Sequence, residues 1–386
     1  MRNKPRKIKR YSKIYRRRSN VRSKILKTAG FVVIVAAVVF VGYSVAGPFM
    51  DFINGRIEPS SSNDSSSIVS VDTDSSSADP SVKNNTLQAV ALSLETAKDP
   101  TALSAFLTSA KSDGANAVVL ELKDTAGTLW YRSSVAQAEE YGAVSENAVE
   151  ITQIVETIKS AGLTPIAKLS AFMDKTAPSS PRNNGYFYGD STSAWWDNAV
   201  DKGGKPWLNP YKKVACDYLI ALQNELISKG FDVILWHKVE FPEVRSMASA
   251  NMGSEAEGIT QQQALNNFIA RCETEAEKSG ATVFVSYPVS AAFGLNESWF
   301  GGNPSGLKAK NVAPELDFAT FNGTLTIGDT AVDFSNSQTA VRQIMSAYLA
   351  KATGVDRVLP VIVDDSLVQP AKNALNALNL QEFVTP

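Results

Sequence analysis

The chain has 386 residues, enough for one large domain or two ordinary ones at about 100–200 residues each. Apolar residues make up 44% and charged residues 20%, which excludes a wholly disordered polymer. The net charge of −1 hides a segregation: residues 1–27 carry 13 Lys/Arg and no acid, and the rest hold 25 basic against 39 acidic residues, a net of −14. One His and two Cys, Cys216 and Cys272, exclude a thiol–imidazole zinc centre, which needs three or four close ligands. Any chemistry therefore falls to carboxylates, Lys, Tyr or His237, with no metal and no cofactor expected.

Residues 1–27 form a basic arm. Only Tyr11 and Tyr15 interleave its charges, so the arm reads as a topology signal beside lipid, not as a nucleic-acid site. From Thr28 to Met50 run 23 uncharged residues around Phe31-Val-Val-Ile-Val-Ala-Ala-Val-Val-Phe-Val41, long enough for a helix across a hydrocarbon layer of about 30 Å. Residues 28–50 are therefore expected to be a single transmembrane helix. Cations on its leading side predict a cytoplasmic N-terminus and an extracytoplasmic remainder. A cleaved signal peptide with Ser44-Val45-Ala46 as its small-x-small site is the competing reading, although the apolar run exceeds the usual ~7–15 residues. Residues 51–86 follow as a linker. Between Ser60 and Ser81, eleven of 22 residues are Ser and four are Asp, a composition with too little apolar surface to offset the entropy of ordering.

Beyond it, residues 87–386 alternate short β-rich runs with helical patterns, as a parallel sheet with crossover helices requires. Strands are predicted at Leu87–Leu94, Ala117–Leu122, Thr164–Leu169, Asp232–Trp236, Thr282–Val285, Asp317–Phe321, Val358–Val363 and, weakly, Glu382–Val384. Between them, Ile151, Ile154, Val155 and Ile158 share a helical face and Gly162 stops it. Asn209-Pro210 reads as an N-cap and first-turn proline ahead of Ala215, Leu219, Leu222 and Leu226. Seven or eight such units predict a (β/α)8 TIM-like barrel. A doubly wound sheet is the alternative, but no G-x-G-x-x-G follows the first strand.

In a barrel the working side chains stand where strands end and βα loops begin. That rule selects Glu121, Lys123 and Asp124 after the second strand and Lys168 on the third. After the fourth it selects His237, Lys238 and Glu240, then Tyr287, Asn322, and the Asp364–Asp365 pair after the next three. The long connection between Leu169 and Pro210 holds Phe172, Tyr186, Phe187, Tyr188, Trp195, Trp196 and Trp207. It is too aromatic for disorder and suits either stacking on sugar rings or packing on the barrel rim.

Four segments together resemble a known family: Ala115-Asn-Ala-Val-Val-Leu-Glu-Leu-Lys-Asp124, Thr164-Pro-Ile-Ala-Lys-Leu169, Trp207-Leu-Asn-Pro-Tyr211, and Gly230-Phe-Asp-Val-Ile234 with Val239-Glu-Phe-Pro242. The sequence is similar to the glycoside hydrolase-like TIM-barrel family once catalogued as a domain of unknown function. Ordered matches run from about residue 88 to residue 365. The resemblance implies a barrel related to glycoside hydrolases in a membrane-anchored envelope protein of a Gram-positive bacterium. Where the family's fourth-strand motif has an acid this chain has His237, and where it has an arginine this chain has Glu240.

The expected function is a glycoside hydrolase-like activity on a cell-envelope or extracellular polysaccharide. Glu121 or Asp124 with Glu240 are its carboxylates, and His237 lies beside them. Lys123, Lys168, Trp195, Trp196, Trp207, Tyr287 and Asn322 are the candidate glycan contacts. A glycan-binding barrel without chemistry and a structural envelope protein are the alternatives.

Overall fold

The computed structural model describes residues 86–179, 183–242 and 245–386. The arm, the expected span at 28–50 and the linker lie outside them. Among the described residues no helix is long and apolar enough to cross a membrane.

Eight parallel strands close a barrel: β1 (Gln88–Ala91), β2 (Ala117–Lys123), β3 (Thr164–Ser170), β4 (Val233–His237), β5 (Thr282–Pro288), β6 (Asn311–Leu316), β7 (Arg357–Val358 and Val361–Ile362) and β8 (Phe383–Thr385). Each pairs with the next, and β1 pairs with both β2 and β8, which leaves no edge. The barrel encloses its own packed core of Ala89, Ala117, Val119, Ile166, Val233, Leu235, Phe284, Ala313, Leu359 and Val384. A larger apolar layer lies between the strands and the surrounding helices. Successive side chains point to opposite faces, so these ten residues define which positions look inward.

The outer helices are α1 (Pro100–Ser112), α2 (Ile151–Ser160), α3 (Lys213–Ser228), α4 (Gln261–Glu277), α5 (Ser337–Lys351) and α6 (Val368–Ala377). Local chemistry sets their starts. Asp99 accepts from the Thr101 and Ala102 amides with Pro100 in the first turn, and Thr260 and Gln263 form a capping box on α4.

Three expectations need correction. The sixth strand is Asn311–Leu316, and Phe318–Phe321 is a 3-10 turn beyond it. Pro314 and Pro360 fall opposite each other in the β6–β7 register, neither has an amide hydrogen to give, and β7 is interrupted at Leu359-Pro360. Asn209-Pro210 does not start α3: Asn209 accepts from the Tyr211 amide in a separate turn, and the helix begins at Lys213. Finally, β5 reaches β6 through 3-10 turns, not an α-helix. The sequence also gave no notice of the insertion after β2. There Leu129–Tyr131 pairs antiparallel to Lys123 and Val144–Val149 runs beside it. Cys216 and Cys272, on α3 and α4, are buried free thiols, and burial pushes Cys216 up to about 12.

Candidate functional site

Inward parity decides which side chains reach the mouth at the C-terminal strand ends. Glu121 follows Ala117 and Val119 on the inner face of β2, Lys168 follows Ile166 on β3, and His237 follows Leu235 on β4. Ser286 follows Phe284 on β5, and Glu315 follows Ala313 on β6. Five consecutive strands thus place a polar side chain one step above the apolar interior. Glu121 and Lys168 are register partners, with Lys168 Nζ 3.3 Å from Glu121 Oε1. His237 Nε2 stands 3.5 Å from the same oxygen. The Ser286 hydroxyl donates to Glu315 Oε1.

The Glu121 side chain is 45% exposed, whereas His237 is buried. Burial holds the imidazole well below its usual range, and Lys168, Lys238 and Lys123 press in the same direction. The ring is therefore neutral at pH 7. Among the described residues, no group of His, Cys, Asp and Glu is arranged to hold a metal ion.

Other sequence-selected residues lie elsewhere. A β-bulge between Glu121 and Lys123 turns Lys123 to the outer side of β2, level with Leu169. There it is fully buried, 2.8 Å from Asp174 Oδ2, and donates to the Ser170 carbonyl at 2.9 Å. Lys123 belongs to the wall and cannot touch a glycan. Asp174 Oδ1 also accepts from the Thr176 and Ala177 amides. Gly127 packs so closely that a Cβ would lie 1.9 Å from that oxygen, at a φ of +85° that also favours glycine.

Asp124 spends both oxygens on its own loop. Oδ1 accepts from the Ala126 and Thr128 amides and Oδ2 from the Trp130 indole. It is a loop-shaping residue, not a free carboxylate. Glu240 is buried beyond β4, with Lys238 Nζ 3.2 Å away, and Lys238 also lies over the Trp299 ring at 5.8 Å. Tyr287 has the wrong parity: it faces outward, and its hydroxyl meets that of Tyr348 on α5 at 2.7 Å. Asn322 is an exposed cap of the turn after β6, in the left-handed region. Asp364 accepts from the Ser366 amide.

The aromatic connection divides by burial. Trp195 is 1% exposed and packs edge-on against Tyr186 at 5.6 Å. Trp207 is 6% exposed, with its indole donating to Asp197. Both are packed inside the loop, the packing alternative of the two that the sequence left open. Trp196 is half-buried, and Tyr188 is 60% exposed on a two-stranded ribbon joining the β3 and β4 loops.

Sequence reasoning missed Ser286 and Glu315. Strict alternation from Phe284 would have chosen Ser286 over Tyr287. Glu315 was hidden because Pro314 argues against a strand at that point.

A family model described as "Putative glycosyl hydrolase domain" matches residues 89–318. No curated protein matches the chain. Among solved structures, a hypothetical protein from Ruminiclostridium thermocellum is similar at 23% identity, over 51% of this chain and 96% of that one, with a TM-score of 0.44. A Streptomyces plicatus N-acetyl-β-hexosaminidase is similar at 13% identity, over 72% of this chain and 47% of that one, with a TM-score of 0.40. A Thermus thermophilus α-galactosidase is similar at 12% identity, over 73% and 53%, with a TM-score of 0.43. The chain spans about half the length of these two glycosidases.

Proposed function

Because the chain belongs to the glycosyl hydrolase domain family matched over residues 89–318, we propose that its barrel acts on a cell-envelope or extracellular polysaccharide bound across the mouth. The observation that carries this reading is the inward polar layer of Glu121, Lys168, His237, Ser286 and Glu315. Glu121 is the working carboxylate: its side chain is half-exposed at the mouth, and Lys168 and His237 both approach it nearest at Oε1. Glu315, inward on β6, is its partner, while Glu240 stays with Lys238. Glycosidases use two carboxyl groups, about 5–5.5 Å apart when retaining and about 6.5–9.5 Å when inverting, one protonating the leaving oxygen. Trp196 and Tyr188 offer aromatic faces to a sugar chain.

The neutral state of His237 favours a second reading, glycan binding without hydrolysis. An imidazole without a proton to give at neutral pH supplies no acid at the end of β4. A hydrolysis and binding screen of envelope polysaccharides with wild type, Glu121→Gln and Glu315→Gln separates the two. Hydrolysis predicts that turnover falls by about 100-fold or more in either variant with affinity kept. Binding alone predicts no products from wild type and a lower affinity for Glu121→Gln.

Membrane anchoring belongs to the same proposal. The 23 uncharged residues of 28–50 behind 13 cations support a single-pass anchor, cytoplasmic N-terminus and extracytoplasmic barrel. Protease added to wall-stripped cells should then cut the linker and leave the arm intact. Cutting of the arm alone contradicts this topology.

A further inference from the structure

The chain has a single histidine, and its ring lies beneath Glu121. Its Nε2 is fully buried and has no hydrogen-bond partner among the described residues, with Glu121 Oε1 3.5 Å away. Lys168 Nζ approaches the same Oε1 from the neighbouring strand at 3.3 Å. In both pairs the nearest Glu121 atom is Oε1. A carboxyl group steered through one oxygen has its plane restricted, so the other oxygen is aimed. The negative charge beside Nε2 favours the tautomer that carries its hydrogen there.

We propose that His237 is a positioning residue for Glu121: with Lys168 it steers Oε1 toward the wall, so that Oε2 faces the mouth and meets the sugar. Glu121 from β2 and Lys168 from β3 lie beside the ring, and the charges of Lys238 beyond its own strand and of Lys123 in the wall also act on it. Burial, helped by three nearby cations, keeps it neutral, which suits the task. A cationic ring would form a full ion pair with Glu121 and cancel the charge the site needs, whereas a neutral N–H orients the carboxylate and leaves it anionic. The functional consequence rests on reading Glu121 as the working carboxylate. The coupling of the two side chains does not.

A single histidine makes that coupling measurable. In full-length protein carrying 15N-histidine, one pair of ring nitrogens gives the tautomer and the titration directly. The expected result at pH 7 is the Nε2–H tautomer. Glu121→Gln should redistribute the ring proton and move the titration to still lower pH, because an anion is lost. Lys168→Met should move it up, because a cation is lost. An Nδ1–H tautomer in wild type, or ring signals that ignore Glu121→Gln, overturns the proposal.

The functional arm uses whichever polysaccharide the screen returns. His237→Leu should lower the response about tenfold, the low end of what a polar contact to a charged group contributes, and His237→Gln, which keeps a donor, should restore most of it. An undiminished response in His237→Leu rejects positioning while leaving Glu121 as the working acid. If no polysaccharide responds even to wild type, the functional reading fails, and the ring spectrum still decides whether His237 and Glu121 are coupled.

Discussion

Two charges two residues apart on β2 meet opposite fates. Glu121 faces the mouth, half-exposed, between Lys168 and His237. Lys123, past the bulge, lies in the wall, completely buried against Asp174. A charge in the wall survives only if it is paired, because desolvation is large and no water can replace a lost partner. A charge at the mouth is solvated, contributes little to folding and stays free to address a ligand. The barrel thus separates charges that hold the chain together from charges available for chemistry within about 7 Å of strand at 3.3 Å per residue.

Breaking the wall should have the largest effect. Asp174→Ala leaves the Lys123 ammonium buried and unpaired and should cost about 3–5 kcal/mol in urea unfolding. Replacing both partners by apolar residues should recover much of that loss, since no lone charge remains. A cost below about 1 kcal/mol for Asp174→Ala would show that water reaches the pair and would erase the contrast with the mouth.

The aromatic loop carries the same contrast in apolar form. Trp195→Ala should lose about 3–5 kcal/mol, as expected for a large side chain 1% exposed. Half-buried Trp196 should lose clearly less in the same measurement, and its replacement should act on glycan affinity instead. Equal losses would mean that both rings are packing.

A smaller, pH-dependent effect belongs to Glu225 on α3. Burial alone would raise its carboxyl, but hydrogen bonds from Ser133, the Ser134 amide and hydroxyl, and Tyr131 lower it from 4.5. A depressed carboxylate adds stability that is present above its unfolded value and lost as pH falls through the folded one. Glu225→Gln should therefore be less stable than wild type at pH 7, with the gap closing below about pH 4.5. A gap that stays constant to pH 3 would mean that the carboxylate charge contributes nothing.

Much of the barrel was legible in the sequence because parallel strands covered on both faces leave apolar runs at regular spacing, and seven of the eight stood near their predicted places. The sixth was displaced because Pro314 breaks the strand signature, and with it went Glu315. The site was less legible, for two reasons of geometry. A bulge inverts parity without leaving a mark in composition, so Lys123 and Glu121 looked equivalent. A turn consumes a carboxylate through backbone amides that no sequence pattern displays, so Asp124 looked free. Burial likewise separates Trp195 from Trp196, adjacent residues of the same type.

The contrast between wall and mouth is tested most directly on Glu121. Unfolding free energy and polysaccharide response should be measured together for wild type and Glu121→Gln. If the mouth is for ligand, stability changes by no more than about 0.5 kcal/mol, as for an exposed position, while hydrolysis or affinity falls. A clear loss of stability with no polysaccharide response in either protein would contradict it, and Glu121 would then belong with Lys123 and Asp174 as part of the wall.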